Sequence, residues 1–490
     1  MVHVAIIGAY GSAGVAVAET VLENERDLDD LEVTLIDDGD PGGGLCILRG
    51  CMPSKDVLSA AEHRYQARHD DRLEGVPAVD PEAIVERKDE HVRRFAAHRR
   101  ETVHEFADRE NVDLLRETAR FVDDRVLAVG DRELEPDYVV IATGSVPNVP
   151  DLEGVEDVDV ATSADVLDAT EFPDSGIVMG FGYIGLELAP YLSEVGGVDL
   201  TVVEHDDRPL EEMESEYGET VLDLYREHFD IDILTNADER RVEPTADGGV
   251  RLHLERDGGD ETDSDETVEA DRLFAFTGRN PNLEGLDLEH TSLEPETGWV
   301  DATMQARDDD RTFVVGDANG REPILHVAKE QGFAAGENVV RHARGERLEP
   351  YANVPHHVIF SGLGVYPFAR LGHTPETVAE TQMDAVVVTR EASSDGVFAT
   401  KNHPEGRATL VVSEADGSVL GFQGLHYHAD VMAKTMQVLV EMSLDVREIP
   451  RRAYHPTTPE ILDGLIREAC AELGETQHCV GEPESPDIEL

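Results

Sequence analysis

Residues 176–204 read GIVMGFGYIGLELAPYLSEVGGVDLTVVE. The pattern predicts a strand, a glycine-rich turn, a helix and a second strand, the unit that binds a dinucleotide in doubly wound parallel sheets. Gly180 permits the tight turn, Gly182 lets the backbone approach a pyrophosphate, and Gly185 allows the helix to pack closely on the strand. The helix N-terminus adds amide donors and the positive end of its dipole for the phosphates.

The nucleotide preference depends on the acid that ends this unit. Glu204 stands about 20 residues after the turn, where a carboxylate accepts hydrogen bonds from a ribose 2′-hydroxyl and repels a 2′-phosphate. His205 and Arg208 are the nearby basic residues that would serve NADP instead. We therefore predict that this unit binds NAD.

The first residues of the chain predict a second, less regular unit of the same kind. Its turn, GAYGSAG (residues 8–14), is one residue longer than G-x-G-x-x-G, as if Tyr10 were inserted, and its second strand ends at Asp37. The candidate phosphate-binding glycines are Gly8, Gly11 and Gly14. Such a turn alone also fits an ordinary glycine-rich connection. Two units that each end in an acid favour a duplicated dinucleotide-binding fold.

The remaining patterns complete the predicted organisation. Residues 53–118 are charged and helical in pattern, residues 121–144 predict hairpin strands that return to the first sheet, and residues 255–270 predict an acidic hairpin loop. A helix is expected over 324–342, followed over 354–473 by two helices and by the strands HVIFSG, DAVVVTR, GRATLVVSE and VLGFQGLHY. The fold class is therefore α/β, with two Rossmann-like, doubly wound, three-layer units and a C-terminal α+β module.

The composition excludes several partners. The 490 residues include 105 acidic and 41 basic residues, a formal net charge of −64, and only five lysines. A surface of this charge repels nucleic acid and anionic membranes. The composition resembles that of proteins from salt-loving archaea, whose concentrated salt screens the repulsion. Because the sequence shows neither a basic leader nor an apolar run that could span a bilayer, we expect a cytoplasmic protein.

Two of the four cysteines lie close together in GGGLCILRGCMPSK (residues 42–55). Pro53 suits a first helical turn, so a helix is expected to begin at about Cys51, whose thiol pKa the helix dipole would lower. Lys55 falls on the same helical face and would further stabilise a thiolate. Cys46 lies in a glycine-flanked loop that can fold back to disulphide distance. A zinc half-site is the alternative, but Cys470 and Cys479 are too isolated to complete it, and we predict no metal.

A proton shuttle is suggested by AYHPTTPEIL near the C-terminus. His455 and Glu460 would form an imidazole oriented by a carboxylate, although an isolated His-Pro is also common in structural turns.

These motifs together resemble the FAD-dependent pyridine nucleotide–disulphide oxidoreductases, and within them the dihydrolipoamide dehydrogenase type. The resemblance spans residues 2–473. The matching motifs occur in family order: GGLCILRGCMPSK, ATGS (142–145), GFGYIGLELA, TGRNPN (277–282), VVGDA (314–318) and HPTTPE (455–460).

The resemblance implies a role for each matching residue. Cys51 would contact the flavin as a thiolate and Cys46 would exchange with substrate. Tyr183 would cover the flavin face as a gate for the nicotinamide, and Lys55 would pair with Glu187. Besides the N-terminal turn and Asp37, the implied cofactor contacts are Gly43, Gly44, Thr143, Gly144, Gly278, Arg279, Gly316 and Asp317. His455, oriented by Glu460, would come from the other subunit of a homodimer.

The resemblance also implies domain boundaries. Residues 1–149 and 279–349 would form the FAD-binding and central part, and residues 150–278 the NAD-binding domain. Residues 350–473 would form the dimerisation domain and residues 474–490 a disordered acidic tail.

The implied activity transfers electrons between NAD(H) and a dithiol or disulphide, with a dihydrolipoyl group as the expected substrate. The extra Tyr10, Leu45 in place of a usual threonine, and Leu48 and Arg49 between the cysteines are departures that bear on the substrate. A reductase of a low-molecular-weight disulphide, such as that of γ-glutamylcysteine, is the nearest alternative. A mercuric reductase, a large thioredoxin reductase and a flavin-bound redox sensor without enzymatic activity fit less of the motif set.

Overall fold

The computed structural model describes residues 1–28, 30–210, 215–256, 266–452 and 455–474. Over this part of the chain, no helix combines the length and the apolar character that crossing a bilayer requires. The helices of the described residues are α1 (Ser12–Glu23), α2 (Leu45–Leu48), α3 (Cys51–His69), α4 (Pro81–Ala107), α5 (Ser163–Leu167), α6 (Tyr183–Gly196), α7 (Ser215–His228), α8 (Leu325–Ala343), α9 (Pro375–Thr381), α10 (Gly396–Thr400), α11 (Ala429–Glu441) and α12 (Glu460–Glu472).

The strands form six sheets within the described ranges. In chain order they are β1 (Val2–Ile7), β2 (Leu31–Ile36), β3 (Val112–Leu115), β4 (Ala119–Asp123), β5 (Val126–Val129), β6 (Arg132–Leu134), β7 (Tyr138–Ile141), β8 (Ser145–Pro147), β9 (Val160–Ala161), β10 (Ser175–Met179), β11 (Asp199–Val203), β12 (Ile231–Leu234), β13 (Ala237–Pro244), β14 (Val250–Arg256), β15 (Glu266–Ala270), β16 (Arg272–Ala275), β17 (Arg279–Pro281), β18 (Thr312–Val314), β19 (His356–Ile359), β20 (Phe368–Gly372), β21 (Ala385–Glu391), β22 (Gly406–Ser413) and β23 (Val419–His426).

The first sheet is parallel, with strand order β18-β7-β1-β2-β3. Parallel strands are covered on both faces and therefore favour continuous apolar runs, as in β1, where residues 4–7 are all buried. β18 follows the second nucleotide unit in the chain and belongs to the first sheet, where Thr312 to Val314 pair with β7. The three-stranded sheet β4-β5-β6 forms the predicted hairpin strands that precede β7.

The second sheet repeats this plan with the order β12-β11-β10-β16-β9, again parallel. β14 and β15 pair antiparallel beside it and form a hairpin, but the acidic loop is shorter than the predicted residues 255–270, because residues 266–270 form β15; residues 257–265 lie outside the described ranges. The third sheet, β19-β20-β23-β22-β21, is antiparallel, and α11 and α12 pack against it. The predicted α/β class, with two doubly wound units and an α+β module, is confirmed; the numbered domain boundaries stay predictions.

Three details of the predicted organisation were wrong or incomplete. The stretch predicted as helical over 53–118 contains β3, because VDLL completes the edge of the first sheet. The C-terminal module has four helices in its described residues rather than two: α9 and α10 are too short to show a helical period. β20 was also missed, since FARLG mixes an arginine and a glycine into a short strand. Of the predicted acidic tail, residues 475–490 lie outside the described residues.

α1 and α8 pack closely because small residues face each other across them. A Cβ atom at Gly332 would lie 2.5 Å from the Ala13 carbonyl oxygen and 2.8 Å from the Ala16 Cβ, and one at Gly336 would lie 2.7 Å from the Thr20 Cβ. This close approach fixes α1, and with it the turn that precedes α1, against the first sheet.

We expect Gly332→Ala to lower the free energy of unfolding by roughly 1–3 kcal/mol, because the new methyl group meets backbone atoms that cannot move aside. This loss would exceed the gain that alanine brings to a helix interior. The matched control is Gly396→Ala in α10, where a Cβ meets no atom within 4 Å. Guanidinium unfolding in the same high-salt buffer compares the two variants; equal midpoints would contradict the packing argument.

Candidate active site

A cavity of about 820 Å³ opens at the carboxyl edge of the first sheet. In a parallel sheet, the turns that follow the strands meet at this edge, which is where doubly wound folds bind their ligands. The turn after β1 contributes Gly8 and Gly11, and Asp37 follows β2. Thr143 and Gly144 follow β7, and the lining continues with the residues after β18, Gly316 and Asp317. Most of the predicted FAD contacts therefore share one cavity.

The two glycine turns have the same construction. Gly8 and Gly180 both have positive φ, +93° and +87°, and a side chain on either would meet the carbonyl group of a neighbouring strand end. A Cβ at Gly14 would clash with the Gly8 carbonyl oxygen, as one at Gly185 would lie 2.5 Å from the Gly180 oxygen. α1 begins directly after Gly11 just as α6 begins directly after its second glycine, Gly182. The first turn is therefore longer by one residue, as an inserted Tyr10 predicts.

Tyr10 occupies the interior of the protein rather than the ligand cavity. Its side chain is 1% exposed, its ring fills the space beside Gly42, and its hydroxyl lies 3.3 Å from the His104 Nε2 of α4. Arg99 of α4 donates to the Tyr10 carbonyl at 3.0 Å. The extra residue thus ties the phosphate-binding turn to the long helix α4.

The acids that end the two units are bound to their own turns. Asp37 accepts hydrogen bonds from the backbone N–H of Tyr10 and of Gly39, both at 2.9 Å. Burial raises the pKa of Asp37, and these two bonds oppose that shift. Glu204, 5% exposed, accepts from the Phe181 N–H at 2.8 Å and lies 2.9 Å from the His205 ring nitrogen. Ribose contacts by either acid remain predictions.

The cavity residues fit FAD. The Thr143 hydroxyl is buried and has no hydrogen-bond partner within the protein, so it is available to a ligand. A Cβ at Gly144 would point into open space, which leaves the backbone there accessible. Asp317 accepts from the Ser145 hydroxyl at 2.6 Å, and Arg279 donates to the same hydroxyl at 2.9 Å. Ser145, which sequence reasoning did not select, therefore joins two predicted cofactor contacts.

The glycines before the cysteine pair also belong to this site. Gly43 and Gly44 line the cavity, and Gly44 has a φ of +76°. Gly278 has a φ of +86° but does not line the cavity. Gly180, Gly182 and Gly185 of the second turn, and Glu204, lie with the second sheet and do not line the cavity, whereas Tyr183 and Ile184 of the same turn do.

The cysteine pair lies in the cavity wall, and helix α3 begins at Cys51 as predicted. Gly50 makes the approach possible, because a Cβ there would lie only 3.0 Å from the Cys46 Cα. Both cysteines are free thiols, and Cys46 donates a hydrogen bond to Cys51. This bond, helped by the Lys55 ammonium, lowers the pKa of Cys51 to about 7, while burial and Glu187 oppose the shift. The same bond and burial raise the pKa of Cys46.

An ion pair stands beside the cysteines. The Lys55 Nζ of α3 donates to both carboxylate oxygens of Glu187 on α6, at 2.6 and 2.7 Å. The backbone N–H of Phe360 points to the same carboxylate at 3.3 Å, and the Phe360 ring lies 4.8 Å from the Lys55 Nζ. Phe360 was missed because it is distant in sequence and follows an ordinary apolar strand.

His455 and Glu460 pair with each other but not with the cysteines. The His455 Nδ1 lies 2.6 Å from the Glu460 Oε1, and the His455 side chain is 78% exposed. Neither residue lines the cavity of its own chain.

Comparisons with known proteins agree with this geometry. Residues 2–332 match the pyridine nucleotide-disulphide oxidoreductases, and residues 357–465 match the dimerisation domain of the same family. A dihydrolipoyl dehydrogenase of Haloferax volcanii is 27% identical over 96% of both chains, and one of Bacillus subtilis is 30% identical over 86% of this chain and 87% of its own. A mercuric reductase of Streptomyces lividans is 26% identical over 90% of this chain and 91% of its own.

The fold also has close solved counterparts. The crystal structure of LpdA from Mycobacterium tuberculosis superposes with a TM-score of 0.80 at 22% identity, over 96% of this chain and 99% of that chain. Sequence match, fold and cavity together lead to one conclusion. The chain belongs to the FAD-dependent pyridine nucleotide-disulphide oxidoreductases.

Proposed function

We propose that this oxidoreductase is a dihydrolipoyl dehydrogenase that passes electrons between a dihydrolipoyl dithiol and NAD. The observation that carries the proposal is the Cys46–Cys51 contact beside the Lys55–Glu187 ion pair in the wall of the large cavity. A stabilised thiolate next to a second thiol suits two-electron thiol–disulphide exchange. The dihydrolipoyl dehydrogenases among its relatives support the substrate class.

The exchange begins with the pair oxidised to a disulphide. A substrate thiol gives its proton to His455, and the resulting thiolate attacks the Cys46 Sγ. The Cys46–Cys51 bond breaks, and Cys51 leaves as a thiolate. The second substrate thiol then attacks the mixed disulphide, closes the substrate disulphide and gives its proton to Cys46. Two electrons and one proton thus reside on the cysteine pair and one proton on His455, and the lowered pKa of Cys51 favours Cys51 as the thiolate of the pair.

The cofactor would be held by the turns of the first sheet, with Thr143 and the Ser145–Asp317 pair as polar contacts. FAD supplies two-electron exchange between the cysteine pair and a nicotinamide. NAD is the expected nicotinamide cofactor because the buried Glu204 puts a negative charge where a 2′-phosphate of NADP would lie.

The proposed unit is a homodimer. His455 is exposed and lies away from the cavity of its own chain, and the module that carries it matches a dimerisation domain. A second copy would bring its His455, oriented by its own Glu460, to the Cys46 of the first.

A second candidate substrate is a disulphide of small acidic thiols. Arg49 is exposed and lines the cavity beside the cysteines, where its guanidinium suits a substrate carboxylate. This interpretation keeps the cysteine chemistry and changes only the substrate.

Substrate assays of the holoenzyme in concentrated salt test the function. We expect dihydrolipoamide to reduce NAD⁺, with NADH preferred to NADPH in the reverse direction, because the site pairs an exchangeable dithiol with an acidic ribose subsite. The same preparation is assayed with γ-glutamylcysteine disulphide and with Hg(II). Turnover of either compound without any dihydrolipoamide activity would overturn the substrate assignment.

The charge state of Cys51 is expected to depend on the proton that Cys46 donates. Cys46→Ala removes the donor and should raise the pKa of Cys51 above about 7, whereas Cys46→Ser keeps a hydroxyl donor and should leave that pKa nearer the wild-type value. Both variants should lose disulphide exchange. Alkylation of Cys51 by iodoacetamide across pH, located by mass spectrometry, gives the two midpoints. If Cys51 is alkylated with the same pH midpoint in both variants, the hydrogen bond from Cys46 does not lower the pKa of Cys51.

Hybrid dimers test the origin of the histidine. Neither Cys46→Ser nor His455→Gln chains are expected to be active alone. After the two are mixed and allowed to exchange subunits, each hybrid dimer has one site with intact cysteines and an intact His455 from the other chain, so about one quarter of wild-type activity should return by random pairing. A site built within one chain gives no recovery. As a control, each variant is taken through the same subunit-exchange step on its own.

A further inference from the structure

The edge strand of the third sheet contacts the glycine turn of the second nucleotide unit. β19 carries His357, whose Nδ1 lies 3.2 Å from the hydroxyl of Tyr183, the first residue of α6. The two rings are 6.2 Å apart between centroids and inclined by 63°, so the contact is made through the polar ends of both side chains. A residue more than 170 positions away in sequence thus holds the side chain that stands at the cavity wall.

β19 is itself anchored next to that contact. Directly after the strand, the Phe360 N–H points to Glu187 at 3.3 Å and the Phe360 ring lies over the Lys55 ammonium. His357 also faces Arg370 across the β19–β20 pairing. The backbone that carries His357 is therefore held at the ion pair and in the third sheet, and the imidazole has a fixed position relative to Tyr183.

The surroundings keep the imidazole neutral. Burial, with smaller contributions from Arg370, His326 and His356, lowers the pKa of His357 to about 4. A neutral ring keeps the same hydrogen-bonding pattern throughout the ordinary working range of pH, so the contact with Tyr183 does not depend on protonation.

The Tyr183 side chain lies where its position can affect access to the cavity. Its side chain is 39% exposed, it lines the large cavity, and it follows Gly182, where a Cβ would meet no atom within 4 Å. Because α6 begins at Tyr183 directly after the second turn, a nicotinamide bound at that turn would reach the cavity beside this ring. The position of the ring therefore affects how readily the nicotinamide enters.

We propose that His357 is a positioning residue that holds the Tyr183 phenol in its closed position at the cavity wall, so that nicotinamide entry has to break the Tyr183–His357 hydrogen bond. This inference rests on the proposed nicotinamide exchange. It adds His357, a residue of the third sheet, to a nicotinamide site that is otherwise built from the two nucleotide units.

Three variants of the FAD-loaded protein test the contact: His357→Leu, Tyr183→Phe and the double variant. Loss of one neutral hydrogen bond from the closed position should tighten NAD⁺ binding roughly threefold to tenfold in each single variant. Isothermal titration calorimetry measures this binding without turnover. Because both single variants remove the same bond, the double variant should bind no more tightly than either of them.

His356→Leu is the matched control, since His356 lies next to His357 on β19 but bonds to the Val354 carbonyl instead. It should leave unchanged both the NAD⁺ affinity and the rate of reduction by dihydrolipoamide under anaerobic conditions. Additive effects in the double variant, unchanged NAD⁺ affinity in His357→Leu, or an equal effect of His356→Leu would overturn the proposal. If the wild-type protein bound neither NAD⁺ nor NADP⁺, the proposed function itself would be refuted instead.

Discussion

The Lys55–Glu187 ion pair is the contact on which the arrangement of the site depends. It joins α3, which begins at Cys51, to α6, which begins at the second glycine turn. The ammonium donates to both carboxylate oxygens, and the side chains of Lys55 and Glu187 are 34% and 14% exposed, so the pair combines fixed geometry with limited solvent screening. The helix that begins at Cys51 and the helix that follows the second glycine turn are thereby held in a fixed relative position.

Much of this frame follows from local sequence. The glycine turns, the acids that end each unit and the helix that begins at Cys51 are short-range features, set by backbone sterics and by the period of apolar residues. The two nucleotide units are therefore recognisable from residues 1–37 and 176–204 alone.

Other parts of the site depend on contacts between distant residues, which no local pattern specifies. Ser145 bridges Arg279 and Asp317 only because β8 and β17 pair. Phe360 reaches Glu187 only because the third sheet packs against the second nucleotide unit. The close approach of the backbone at Gly50 explains why Cys46 lies near Cys51. Which of the two thiols donates the hydrogen bond, however, depends on the positions of both side chains.

The hydrogen bond between Cys46 and Cys51 determines how the charge of the cysteine pair changes with pH. With the pKa of Cys51 near 7 and that of Cys46 raised, the reduced pair gains its first negative charge near neutrality and resists a second as the solution becomes alkaline. Beside it, Lys55 and Glu187 cancel each other. Just above neutrality the reduced cysteine pair therefore carries a single negative charge, in a chain whose formal net charge is −64.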